Sequence, residues 1–424
     1  MGHGGDGTSS ATGVEGVAPP PIDLDLSALF TPESRADPYP LYRHLRETTP
    51  LYENPLDPGS YVLTRFADCE AVLRDARWSS NPAHRPTPVG NDEVDFRTGL
   101  SDAEVNVLLF LDPPDHTRLR KLVSKAFTPR RVEALRPRVQ QLVDEILDEA
   151  AEQGELDVVH DLGFTVPVTV ICELMGVPVA DREQFGPWSS AATRLLDGII
   201  PEDEAMAGVA GLVNIVGYFN DLYEQRRREP GDDLLTALVL AEEEGDRLTE
   251  AELRSMTVLL FVAGHETTTN LIGNGTKALL EHPDQLRRLA DDPSLVPSAV
   301  EELLRFDGPV HLTGRIAAVD GLEVGGRTFA KGEQVVTLIA AANRDPARFA
   351  DPDQLDVGRG DSHHLAFSHG IHFCLGASLA RLEGQVAIGS LVSRFPDMEL
   401  RTDPVAYRDH FVLRGLDELR VGVG

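Results

Sequence analysis

Cysteine is scarce: the chain has three in 424 residues, Cys69, Cys172 and Cys374. Three so widely spaced cannot form the disulfide framework of a small secreted scaffold, so the chain reads as a reduced, intracellular protein. Positive charge is also in short supply. Lys and Arg number 39 against 69 Asp and Glu, for a net charge of −30. A surface of that sign repels phosphate, which excludes nucleic acid and anionic membrane as general partners. Long apolar runs are missing as well, because those around 256–264 and 335–342 fall well short of the ~18 residues that a spanning helix needs. The N-terminal MGHGGDGTSS has neither a basic n-region nor an apolar h-region, and Asp6 stands where a myristoylation signal requires Ser or Thr. Together these absences predict a cytoplasmic protein with no membrane span.

What is present suits a globular chain, since 42% of the residues are hydrophobic, ample for a core. Residues 1–21, rich in Gly, Ser and Thr and ending in Pro19, Pro20 and Pro21, are predicted to be a disordered tail. No linker follows, so 22–424 is predicted to be a single domain. Helical periodicity runs through 132–150, 162–175, 182–196, 202–228 and 233–243. Thr249 with Glu252 three residues on is a capping box, and it predicts a long helix from there to about Leu280, before His282 and Pro283. Strand signals are confined to 60–64, to a glycine-punctuated cluster over 315–338, and to short pieces near Val412 and 419–423. The fold class is therefore mainly α with a small β portion.

Three groups of residues carry chemistry. Cys374 lies in Phe367-Ser-His-Gly370-Ile-His372-Phe-Cys374-Leu-Gly376, just ahead of a helix predicted over 377–392. Glycines let the backbone aim its amides at one atom and the helix N-terminus adds positive potential, so this frame favours a thiolate, as metal ligand or nucleophile. His363, His364, His369 and His372 cluster nearby, and His369, His372 and Cys374 could make a zinc or copper half-site, but a second half-site is missing from the sequence. In the long helix, Ala263-Gly264-His265-Glu266-Thr267-Thr268-Thr269 is poor helix interior. Its hydroxyls are expected to bond preceding carbonyls and loosen a turn, leaving an alcohol beside a carboxylate. Glu302 and Arg305, three apart on a helix predicted over 298–306, share a face and can pair.

These motifs, in this order, resemble the cytochrome P-450 family, the haem-thiolate monooxygenases, in its soluble bacterial form. Phe367, Gly370, His372, Cys374 and Gly376 match the haem-binding loop. Ala263, Gly264, Glu266 and Thr267 match the oxygen-activation turn, and Glu302 with Arg305 matches the paired-helix motif. Residues 342–359 resemble the family's meander, whose arginine, here Arg359, completes the Glu–Arg network, although Leu355 and Val357 replace the usual Phe and Pro. The resemblance spans 22–424 and implies a long central helix crossing over haem b. It makes Cys374 the axial iron ligand, Thr267 the hydroxyl that bonds the bound oxygen, and Glu266 a proton relay. It places His116, Arg120, Arg315 and His372 against the anionic propionates.

The resemblance also implies electrons from NAD(P)H through ferredoxin reductase and ferredoxin, since the chain carries no flavin or iron–sulfur motif of its own. A basic island, Arg118, Arg120, Lys121, Lys125, Arg130, Arg131, Arg136 and Arg138, falls on the face where an acidic ferredoxin could dock. The expected reaction inserts one atom of O2 into a largely apolar small molecule such as a macrolide, steroid or terpenoid, by a monomer active in secondary metabolism. A peroxide-driven peroxygenase and a non-catalytic haem- or ligand-binding protein are the rivals. By family position the pocket comprises parts of 78–110, 195–200, 259–263, 310–313 and 410–413. Its named residues are Leu195, Leu196, Ile199, Leu259, Val310, His311, Leu312, Phe411 and Val412, with His311 and His410 as polar anchors.

Overall fold

Thr249 starts the element around which the rest is arranged. In the computed structural model the Glu252 amide donates to Thr249 Oγ1 at 3.2 Å and the Thr249 amide donates to Glu252 Oε2 at 2.8 Å. The reciprocal cap opens a 32-residue helix, Glu250–Glu281, about 48 Å long at 1.5 Å per residue. The structure describes residues 31–54, 57, 59–86, 107–124, 127–197, 200–243, 246–361 and 363–424. The predicted tail therefore lies outside the described residues, as do Lys125 and Ile199.

The C-terminal half of this helix is buried on most sides, Thr268, Thr269, Asn270, Asn274 and Thr276 included. Leu271, Ile272 and Leu279 join one core with Val300 and Leu303 of helix Val296–Asp307 and with Ile388 and Leu391 of helix Ala377–Arg394. Val159 and Leu162 of a π-helical turn, Val158–Phe164, complete it and lead into helix Thr165–Met175. The N-terminal half packs into a second core containing Phe185, Ile215, Phe219 and Phe261, supplied by helices Arg182–Arg194 and Glu202–Arg228.

A five-stranded sheet lies beside the helical body, in the order 51–53, 60–63, 334–337, 313–317, 78–79. Strand Ser60–Leu63 runs parallel to Gln334–Thr337 with Val62 opposite Val336. Alternation then sends Tyr61, Leu63 and Val335 into one core and leaves Val62 and Val336 on the opposite face.

Three expectations change. The periodicity over 233–243 ends early, because the helix is Leu234–Val239 and residues 242–243 pair antiparallel with 246–247. The threonine-rich turn does not loosen. Thr267 Oγ1 bonds the Ala263 carbonyl at 3.1 Å and Thr269 Oγ1 bonds that of His265 at 3.0 Å, yet the helix runs on unbroken, supported by its neighbours. Two segments, Val158–Met175 and Glu202–Arg228, are by length and composition apolar enough to cross a membrane. The first is largely buried in the core, and the second begins with Glu202, Asp203 and Glu204 and ends in three arginines.

Candidate active site

The cysteine loop is fixed from both ends. The Cys374 amide donates to the Phe367 carbonyl at 2.9 Å, and a single 3-10 turn, Gly370–His372, lies between them. Gly370 has φ +66°, and a Cβ there would come within 2.4 Å of the Leu73 carbonyl oxygen, so no other residue fits this contact between the loop and helix Phe66–Arg74. Gly376 then caps helix Ala377–Arg394. The Gly376 and Ala377 amides and the Arg120 and Arg381 guanidiniums all act to lower the Cys374 pKa, but burial outweighs them and the thiol of the metal-free chain is raised. The frame by itself therefore does not produce the expected thiolate. A metal cation bound at the sulfur would supply the remaining stabilisation.

The side chain of Cys374 is nonetheless exposed. Beside it, His116 and His372 stand with ring centroids 4.4 Å apart. Neither nitrogen of buried His116, nor Nε2 of His372, has a hydrogen-bond partner among the described residues. Burial, with Arg315, His116 and Arg120 nearby, lowers the pKa of His372 to about 3. Burial takes Arg315 down to about 10, and among the described residues its guanidinium donates to Thr313 Oγ1 and the Gly314 carbonyl. Arg120 donates to the Phe373 carbonyl at 2.7 Å. Cations and orphaned imidazoles so crowded call for an anion, and these residues fit a haem whose propionates they would meet and whose iron would take the Cys374 sulfur.

A cavity of about 470 Å³ opens beside this cluster. Ala263, Glu266 and Thr267 form part of its wall, with Leu259, Leu195, Leu196, Val310, Leu312, Phe411, Val412 and Arg315. Gly264 sits where the helix closes on Ile171, since a Cβ would come 3.1 Å from its Cδ1. Glu266 is buried and ion-paired to Arg408 Nη1 at 3.2 Å, a partner that nothing near Glu266 in sequence announces. Also unforeseen are the sheet residues Val62, Gln334 and Val336, which the period-2 alternation of their strands sends to the cavity.

His311 does not belong to this wall. It lies between two residues that do, so its side chain points the other way, where Nδ1 bonds the Tyr42 hydroxyl at 3.1 Å. His410 is likewise turned aside, with Nδ1 3.4 Å from Asp197. Both line a separate crevice with Arg35, Tyr407 and Arg414.

Glu302 and Arg305 form a bidentate pair at 2.7 and 2.8 Å, and Arg359 Nε reaches Glu302 Oε2 at 3.0 Å. Arg305 also donates to the carbonyls of Asn343 and Pro352 at 2.9 and 2.8 Å, which binds helix and meander together. Leu355 and Val357 are buried in the core. The basic island is smaller than the sequence implies, because Arg118 pairs with Glu252, Arg136 with Glu133 and Arg138 with Glu173. Arg130 and Arg131 are exposed. Cys69 and Cys172 are buried and structural, and burial pushes the Cys172 thiol up to about 12.

Comparisons with known proteins agree with this geometry. A family model described as Cytochrome P450 matches residues 213–411. The chain is 46% identical over 369 residues to cytochrome P450 107B1 of Saccharopolyspora erythraea, a match covering 86% of this chain and 89% of that one. It is 44% identical over 395 residues to 6-deoxyerythronolide B hydroxylase of the same organism, covering 91% and 96%. The crystal structure of P450BioI, in complex with acyl carrier protein ligated by hexadec-9Z-enoic acid, superposes with a TM-score of 0.86 at 38% identity, over 93% of this chain and 99% of that one. The chain belongs to the cytochrome P450 family, and it is a haem b-dependent monooxygenase.

Proposed function

We propose that this P450 inserts one oxygen atom, by hydroxylation or epoxidation, into a large apolar small molecule of the macrolide, steroid or terpenoid kind. It acts in the cytoplasm as a monomer, with electrons from NAD(P)H passing through ferredoxin reductase and ferredoxin. The observation that carries the reading is the cavity of about 470 Å³, aliphatic over most of its wall, with Glu266 and Thr267 side by side in it. Such a wall desolvates a hydrocarbon skeleton and holds it by shape, and few polar groups are placed to fix orientation. A relative named for 6-deoxyerythronolide B supports the macrocyclic choice.

Haem b held by Cys374 supplies the activation of O2 and the transfer of one of its atoms. The chain's own groups govern protons and position. Thr267 Oγ1, now donating to the Ala263 carbonyl, can turn its hydroxyl toward the cavity. Glu266 passes protons from the side where Arg408 holds it to that hydroxyl. A peroxide-driven enzyme has no use for this pair.

The test replaces the hydroxyl. Thr267→Ala retains haem and substrate binding and continues to consume NAD(P)H, while product per NAD(P)H falls at least about tenfold and hydrogen peroxide takes its place. Product, NAD(P)H and peroxide are measured together. Unchanged coupling in the variant, with full wild-type turnover on hydrogen peroxide alone, removes the reading in favour of the peroxygenase.

A further inference from the structure

Two histidines that precede Cys374 find their partner far away in sequence. His363 and His369 lie in the segment leading to the cysteine loop, and Glu70 sits in the middle of helix Phe66–Arg74. His363 Nε2 is 2.9 Å from Glu70 Oε1, and His369 Nε2 is 3.8 Å from the same oxygen. One donor atom from each of the three residues lies within 4.8 Å of the other two. A tetrahedral zinc ion with bonds of about 2.0–2.2 Å separates its donors by about 3.3–3.6 Å. The two measured distances fall on either side of that range.

Glu70 and His363 are positioned by contacts that an ion leaves intact, and His369 by one that belongs to the metal-free chain. The Gly370 backbone fits against Leu73, which fixes the helix on the loop. The His363 amide donates to Asp361 Oδ1 at 3.1 Å, and Arg348 Nη2 holds Asp361 at 2.8 Å. His369 Nδ1 accepts the Gly370 amide at 2.8 Å. Glu70 and His369 are half-buried and His363 is exposed, so an ion can enter from solvent. The missing half of the histidine site considered from sequence is thus a glutamate, and His372 and Cys374 belong to a different cluster.

We propose that Glu70, His363 and His369 bind a divalent transition-metal ion of the zinc class, separate from the haem, which fastens helix Phe66–Arg74 to the segment that carries Cys374. Two imidazoles and one carboxylate are a zinc donor set, with a fourth position open to water. Calcium and magnesium, which take oxygen ligands, do not suit it. Binding through His369 Nε2 puts the ring proton on Nδ1, so the ion exchanges the Gly370 contact for a metal bond. Arg74, exposed and 3.5 Å from Glu70, moves aside into solvent. His363 and Glu70 therefore provide the main grip and His369 completes it.

The test uses the haem-loaded enzyme, so that the cysteine cluster is already filled, after treatment with EDTA and dialysis. Calorimetric titration with Zn²⁺ gives one bound equivalent, and saturating Zn²⁺ raises the thermal midpoint. Glu70→Gln and His363→Asn each weaken binding at least about tenfold and abolish the midpoint shift, with the ferrous carbon monoxide spectrum unchanged. If one variant does not take up haem, the other decides. Failure of the native enzyme to bind Zn²⁺ at submillimolar concentration overturns the site, as does equal affinity in the variants. Binding with no rise in midpoint overturns the fastening role.

Discussion

Ser368 is the residue in the cysteine loop that the fold treats worst, and replacing it with glycine should stabilise the protein. Its φ is +59°, in the left-handed region, which costs an L-residue with a Cβ about 1–2 kcal/mol. Its hydroxyl is buried with no hydrogen-bond partner among the described residues, and a stranded polar group of that kind costs about 1 kcal/mol or more. Glycine removes both penalties and returns about 0.5–1 kcal/mol through the greater freedom of the unfolded chain. The net gain is about 1–2 kcal/mol. For a chain of this size that raises the thermal midpoint by only about 2 °C, so the sharper assay is amide exchange at Ser368 and Cys374, whose N–H groups bond the Leu365 and Phe367 carbonyls. Protection there should increase about tenfold. Ser368→Ala, which keeps the strained φ but removes the hydroxyl, should gain roughly half as much. A glycine variant less protected than wild type, with alanine unchanged, would refute the reasoning.

Three further outcomes can be checked independently. Glu383 is fully buried, and burial pushes its pKa up to about 8, partly offset by Thr268. An unfolded glutamate titrates near 4.5, so the protonated native state loses stability as pH rises from there through 8. Glu383→Gln, read by denaturant unfolding across that window, should flatten the decline and be the more stable protein at pH 8.5, by at most about 5 kcal/mol. Glu302→Gln leaves Arg305 and Arg359 without their shared buried carboxylate and should cost about 3–5 kcal/mol and much of the haem content, measured by unfolding and pyridine haemochrome assay. Charge reversal at exposed Arg130 and Arg131 should slow ferredoxin-supported turnover at low salt while leaving substrate affinity alone; equal rates at low salt would dismiss that docking face.

The sequence was most legible where chemistry is contiguous. The capping box at Thr249, the glycine frame around Cys374 and the i,i+3 pair Glu302–Arg305 each lie within a few residues, so local geometry predicts them. Pairings across the chain were not legible. Arg408 on Glu266 and Glu70 beside His363 are created by tertiary packing alone. So is the neutralisation of Arg118 by Glu252, which removes one cation from an island that looks continuous in sequence. His311 is the instructive failure, because the alternation of an extended segment was sufficient to turn it away from a wall that Val310 and Leu312 share. The balance at Cys374 was half legible: the amide dipoles that lower its pKa are visible in the pattern, but the opposing desolvation depends on how the whole chain packs around the loop.

The gathering of His116, Arg120, Arg315 and His372 within a chain of net charge −30 also bears on how the finished enzyme is assembled. A haem dianion arriving from solution is repelled by the surface as a whole before it comes close enough to feel the cradle. Salt at about 0.1 M limits the reach of both influences to about 10 Å, which silences many distant acids and spares a few adjacent cations. Cofactor uptake by this chain is therefore expected to quicken as ionic strength rises, the reverse of ordinary electrostatic steering, and haem-band absorbance followed across a salt series checks it.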